Sequence, residues 1–262
     1  MSNVLEHNRK AWDAESTSGN SAWSVPVDAV TVDNARRGQW QIFVTPLKPV
    51  PYDWFGGIEG KRVLGLASGG GQQNPVLAAA GAKVTSFDLS AEQLAKDGFV
   101  AERDALEITL EQGDMADLSR FADASFDLIV HPVANVFAPD VGAVWRECHR
   151  VLAPGGRLIT AFMNPDFFLF DHDALDSGGA LEVRYSLPFA SARDLPPQLY
   201  EQRVDRQEAF EFSHSLEDQI GGQLAAGFTI HGFYEDRWTD AATPLNPHMP
   251  TTFATLAIRS SA

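Results

Sequence analysis

The sequence predicts an α/β protein: a doubly wound, mostly parallel sheet of seven strands. Three observations carry that expectation. The apolar run Val63-Leu64-Gly65-Leu66 leads through Ala67 and Ser68 into Gly69-Gly70-Gly71, and an Ala-rich helical pattern follows at 76–80. Apolar strand, glycine turn and helix form the entry of an α/β nucleotide-binding unit. A second strand pattern, Lys83-Val84-Thr85-Ser86-Phe87-Asp88, ends in an acid, and a carboxylate there suits a ribose diol because it offers two acceptor oxygens. Strand and helix patterns then keep alternating, which implies parallel pairing through right-handed crossovers.

In chain order, residues 1–55 read as aromatic-rich and irregular. They hold Trp12, Trp23, Trp40, Phe43, Tyr52 and Trp54, broken up by Pro26, Pro46, Pro49 and Pro51. Strand 62–67 precedes a helix at 72–80, and strand 83–88 precedes a helix from Ala91 to about Ala101. A third strand over 108–112 ends at Gly113-Asp114-Met115, and a fourth over 126–130 ends at His131-Pro132. Val141, Val144, Trp145, Cys148, Val151 and Leu152 have the spacing of one buried helical face. Pro154-Gly155-Gly156 stops that helix, and a fifth strand spans 157–162. Residues 163–212 break the rhythm with Phe162, Phe167, Phe168 and Phe170 and strand-like pieces near 181–187 and 207–213. They read as an insertion over the C-terminal edge of the sheet. Ser215 and Asp218 form a capping box for a helix expected to bury Leu216, Ile220 and Leu224, with Gly227 at its end. Strands near 228–235 and 251–258 close the chain. The organisation expected is one domain over 1–262: an aromatic cap (1–55), a core (56–162), an insertion or lid (163–212), and a C-terminal helix with a strand pair (213–262).

Composition narrows the function. The chain has 262 residues, 44% of them hydrophobic and 21% charged, which fits a globular fold. The formal charge of −15 and the lack of a basic run argue against nucleic acid, where Lys and Arg supply most of the affinity. No apolar run is long enough to span a membrane, the N-terminus lacks a signal-peptide core, and a cytoplasmic address is the default expectation. One cysteine excludes an internal disulfide framework. No metal-ligand constellation stands out. A homodimer is compatible with these features.

The motif order resembles the class I S-adenosylmethionine (SAM)-dependent methyltransferases of the small-molecule branch, over about residues 60–162 plus 215–259. The resemblance rests on VLGLASGGGQQ, on SFDLSAEQL, on Gly113-Asp114-Met115, and on FDLIVHPVAN followed by VWRECHRVLAPGGRLI. It implies SAM as cofactor, S-adenosylhomocysteine as product, a small-molecule acceptor, and an antiparallel C-terminal strand. It also implies cofactor contacts from Ala67, Ser68, Gly69, Gly71, Gln72, Gln73 and Gln93. Asp88 would take the ribose hydroxyls, and Leu89 would pack on the adenine. Asp114 would accept from the adenine amine, and Met115 would donate its backbone N–H. The family usually has an acid where this chain has Gly65. Loop carbonyls or Asn135 are the candidates to replace its contact with the cofactor ammonium. His131, at the end of the fourth strand, is the candidate general base, and also a candidate cofactor contact. Trp12, Trp23 and Phe167 are the candidate acceptor contacts. Competing readings are an NAD(P)-dependent oxidoreductase, whose fingerprint wants a glycine where Asn74 stands, and a cofactor-binding module without catalysis.

Overall fold

Alternate residues of the first strand, β1 (Arg62–Leu66), feed two different cores. Val63 packs on one face of the sheet with Val84, Leu128 and Val130, and Leu64 and Leu66 pack on the other with Phe87 and Ile129. A strand buried on both faces needs a near-continuous apolar run, which is what a parallel sheet under two helical layers demands. The computed structural model describes residues 2–19, 21–239 and 241–260.

The other strands are β2 (Lys83–Asp88), β3 (Ile108–Gln112), β4 (Phe126–His131), β5 (Leu152–Met163), β6 (Phe228–Asp236) and β7 (Thr252–Arg259). They form one seven-stranded sheet in the order β3-β2-β1-β4-β5-β7-β6. The first five in that order pair in parallel, and β7 runs antiparallel between β5 and β6. The order reverses between β1 and β4, and open α/β sheets bind ligands outside the strand ends at such a switch point.

The helices are α1 (Ser2–Ser18), α2 (Ala29–Arg36), α3 (Gln73–Ala79), α4 (Ala91–Asp104), α5 (Val141–Val151), α6 (His172–Asp176), α7 (Ser191–Asp194), α8 (Pro197–Asp205) and α9 (Gly222–Ala225). Ala35 of α2 and Val76 and Leu77 of α3 join the first core, and α5 supplies the second through Val144, Trp145, Cys148 and Val151. No helix among the described residues is long and apolar enough to cross a membrane.

Four expectations need correction. Residues 1–55 are not irregular throughout: α1 covers Ser2–Ser18 and α2 covers Ala29–Arg36. Their prolines all lie outside those helices, and Arg9 pairs with Glu6 and Asp13 at helical spacing. Pro154-Gly155-Gly156 does not separate α5 from β5 but loops out of β5 itself. The β4 partner jumps there from Leu152 at Phe126 to Arg157 at Leu128. The segment 163–212 is mostly short helices, with only the isolated bridges Phe170–Val183 and Ala190–Phe212. The helix after Ser215 keeps its capping box, since Ser215 Oγ accepts from Asp218 N and Asp218 Oδ2 accepts from Ser215 N. Its buried face, however, is Gln219 and Gln223, while Leu216 and Leu224 are exposed and Ile220 is half-buried. A π-helical turn over Glu217–Gly221 shifts the helical period, and both glutamines find partners inside: Gln219 meets Asn135, and Gln223 accepts from Thr255.

Candidate active site

The C-terminal ends of β1, β2 and β4 open into a cavity of about 520 Å³. Its floor is the loop after β1. Ala67 adopts a left-handed φ of 48°, an uncommon conformation for a residue with a Cβ and one that tends to occur at functional turns. Its N–H donates to Phe87 O, which ties the loop to the end of β2.

Asp88 ends β2, half-buried in the cavity wall. Its Oδ2 accepts from Gly69 N at 3.0 Å and its Oδ1 from Ser90 N at 2.9 Å. Burial pushes its carboxyl up to about 6, opposed by those backbone bonds. The N-cap of α4 is Ser90, whose Oγ accepts from Gln93 N, so Asp88 is left facing the cavity. Leu89, Gln93, Asp114 and Met115 line the same end. Asp114 Oδ1 accepts from Ala116 N, which fixes the turn after β3. Ala67, Ser68, Gly69, Gln72 and Gln73 line the loop side.

The two glutamines reach backwards rather than into solvent. Gln72 Nε2 donates to Ala22 O and Val25 O, and Gln73 Nε2 donates to Phe43 O. They fasten the N-terminal segment across the cavity. Trp12, Trp23 and Phe167 are all in its wall. Trp12 meets Phe137 edge-on, Trp23 meets Trp238, and Phe167 stacks on His172. Helix α1 is held over the site by Asn8, which donates to Phe210 O and accepts from Phe210 N. Asp13 adds a bond from Ser90 Oγ at 2.6 Å.

Three expected site residues stay out of the cavity. His131 is fully buried in the second core, with its ring edge-on to Trp145. Its Nδ1 is 2.8 Å from Leu66 O, and Nε2 has no partner among the described residues. Burial pushes the imidazole down to about 4, and the ring is not part of the cavity lining. The reason is parity: His131 lies two residues after Ile129, so both face α5. His131→Gln is expected to leave turnover at saturating SAM within a few-fold and to lower the melting temperature instead. Steady-state rates and thermal melts on the same preparation check this. Asn135 is fully buried and donates to Gln219 Oε1, away from any ammonium. Gly71 turns its N–H inward to Asp97 Oδ1.

That last bond exposes a group the sequence reading missed. Asp97 on α4 is fully buried beneath the loop. It accepts from Gly71 N, Ser86 Oγ and Asn74 Nδ2, at 2.8, 2.6 and 2.8 Å. Burial pushes its carboxyl up to about 6 against these bonds. Asp97 shares the buried stripe of α4 with Gln93 and Val100, but nothing local in the sequence places its three donors beside it.

The same cluster explains Gly65. A Cβ there would lie 1.8 Å from Asn74 Oδ1 and 2.7 Å from Ser68 Oγ. The amide of Asn74 therefore fills the space above β1, and no side chain can project from position 65. Gly65→Ala is expected to cost about 1–3 kcal/mol through overpacking, and Gly65→Ala with Asn74→Ala should recover part of it in thermal melts. Asn74 also stands where the dinucleotide fingerprint needs its last glycine. With a buried amide there, the arrangement favours an adenosine-bearing cofactor other than NAD(P).

The residues present suit SAM. Asp88 and Asp114 offer acceptor oxygens for a ribose and an adenine amine, Leu89 and Met115 give apolar walls, and the 67–69 loop brings bare backbone to the amino-acid end. A family model described as a methyltransferase domain matches residues 64–160. The chain is 53% identical over 237 residues to a Bacillus subtilis protein named "Uncharacterized methyltransferase YbaJ", covering 90% of this chain and 92% of that protein. A Pseudomonas aeruginosa ubiquinone biosynthesis O-methyltransferase is 30% identical over 129 residues, 48% of this chain and 56% of that one. Among solved structures, Burkholderia thailandensis 1,6-didemethyltoxoflavin-N1-methyltransferase, with 1,6-didemethyltoxoflavin and S-adenosylhomocysteine bound, superposes with a TM-score of 0.61. It is 14% identical and covers 99% of this chain and 90% of that one. Identity over nearly the whole length of a methyltransferase, a matching domain and the shared fold together make this chain a member of the class I SAM-dependent methyltransferases.

Proposed function

We propose that the protein transfers the methyl group of SAM to a small-molecule acceptor by in-line displacement. The observation that carries this is the cavity at the C-terminal ends of β1, β2 and β4. One end is built of Asp88, Asp114 and the loop after β1, and the other of aromatic side chains from the N-terminal and 163–212 segments. Its volume of about 520 Å³ lies in the range of pockets that enclose a small ligand. When bound, SAM supplies an electrophilic methyl group: the acceptor lone pair bonds to it as the carbon–sulfur bond breaks with its electrons going to sulfur. Asp88 and Asp114 hold and orient the nucleoside portion. Trp12, Phe137 and Phe167 exclude water from the acceptor end, where alignment of the reacting atoms is the main contribution the protein can make.

Two relatives bear names that point to small organic acceptors, a ubiquinone precursor step in one and 1,6-didemethyltoxoflavin in the other. Both are consistent with an enclosed cavity. Cys148 takes no part: it is fully buried in the second core and burial pushes its thiol up, so it offers no thiolate. The test is methyl transfer from isotopically labelled SAM into a fractionated extract of small molecules, with S-adenosylhomocysteine as the second readout. Label in a small-molecule fraction, together with stoichiometric S-adenosylhomocysteine, is the expected result. Label found only in protein or nucleic acid would overturn the reading.

A further inference from the structure

We infer that the acceptor is a neutral or cationic aromatic compound that carries a hydrogen-bond donor, and that Glu211 selects it by accepting from that donor. This rests on the methyltransferase reading above.

The first support is charge. No Lys, Arg or His among the described residues lines the cavity, whereas Asp88, Asp114 and Glu211 all do. An anionic acceptor would be stripped of water beside Glu211, whose counter-charge, Arg203, stands outside this cavity's lining and is already engaged, which is unfavourable.

The second is position. Asp88 and Asp114 follow β2 and β3, at the nucleoside end. Glu211 belongs to the segment between β5 and β6, and it shares with Phe167 and Trp238 the boundary between this cavity and a second one. The second cavity carries Asp171, Asp173, Asp176 and Glu208 besides the paired Arg203 and the stacked His172. The outer cavity is thus also dominated by acids.

The third is the way Glu211 is held. Its backbone N–H donates to Ser191 Oγ and its carbonyl accepts from Ser191 N. The neighbouring Phe212 N–H donates to Val136 O in the cavity wall. Arg203 Nη2 donates to Glu211 Oε2 at 2.7 Å, and Arg203 Nε is fixed on Ala209 O. One carboxylate oxygen is engaged. The other, Oε1, has no partner among the described residues and is free to accept.

The fourth is shape. Trp12, Phe137, Phe167 and Trp238 line the same cavity as Glu211, and aromatic walls favour a flat ring. Glu211 asks that ring for an N–H or O–H.

The test uses the full-length protein saturated with S-adenosylhomocysteine and two probes on the same ring, 8-hydroxyquinoline and quinoline-8-carboxylate, in calorimetric titrations. The neutral probe is expected to bind about tenfold or more tightly than the carboxylate, and Glu211→Gln should bring the two within about threefold. Equal or tighter binding of the carboxylate overturns the inference. So does a preference that survives Glu211→Gln, or failure of 8-hydroxyquinoline to bind at millimolar concentration. S-adenosylhomocysteine binding, measured first in wild type and Glu211→Gln, keeps the two readings apart: loss in both strikes the methyltransferase reading, and equal affinity leaves Glu211 alone under test.

Discussion

Replacing Asp97 by leucine is expected to destabilise the protein by about 3 kcal/mol. The change strands Gly71 N and the Ser86 hydroxyl without an acceptor, and a buried unsatisfied donor costs roughly 1–3 kcal/mol. For a chain of this size that corresponds to a fall in melting temperature of roughly 6–12 °C. Cofactor affinity should fall with it, because Gly71 and Asn74 hold the loop between Ala67 and α3. The pH dependence separates Asp97 from an ordinary packing residue. Its carboxyl titrates at about 6 in the folded protein, above the value near 3.9 of an unfolded chain. The folded state therefore binds more protons between those values, and the stability contributed by this group is present below pH ~4 and is lost as pH rises through ~6. Denaturant melts of wild type and Asp97→Leu across that window should show the difference between them shrinking as pH rises. A constant difference would mean that Asp97 is ionised throughout.

Asp88→Ala should weaken binding of S-adenosylhomocysteine by roughly 10–150-fold, the equivalent of losing about 1.5–3 kcal/mol of hydrogen bonding to a charged group. The loss has two sources. The ribose would lose its acceptor, and the N–H groups of Gly69 and Ser90 would lose the carboxylate that orders the loop. Asp88→Asn keeps one acceptor oxygen and should fall between. Titration calorimetry at pH 7.5, where the carboxylate is ionised, measures both. Unchanged affinity in Asp88→Ala would remove the ribose assignment.

The strands were legible because each is a short apolar run closed by Gly, Pro or Asp, and because the helices between them carry one buried stripe apiece. Asp88 and Asp114 were legible for the same reason: a polar residue where a buried strand ends has few places to point except the switch point. His131 was not. Val130 and His131 are both fully buried, so polarity does not mark which face of the sheet each side chain takes. Only the packing of Ile129 and His131 against α5 decides it. Asp97 was hidden by a different effect. Its partners come from β2, α3 and the glycine loop, three pieces separated in sequence, and no local pattern brings them together. Gln219 and Gln223 escaped because a π-helical turn breaks the 3.6-residue period on which a stripe is recognised. In each case the missing information is tertiary: who sits opposite, rather than what the residue is.

The bonds between Asn8 and Phe210 join positions 202 apart in the chain. A contact of that span forms late, because the entropy of closing so large a loop must be met before the contact gives anything back. The parallel strands β1 to β5 all lie before residue 164, so a growing chain can assemble the nucleoside half of the site while its cover does not yet exist. Helix α1, made before those strands, has to wait for residues made after them. The enclosed chamber is therefore completed after the nucleoside half of the site, and a chain halted before Phe210 would have Asp88 and Asp114 but no closed space for the acceptor.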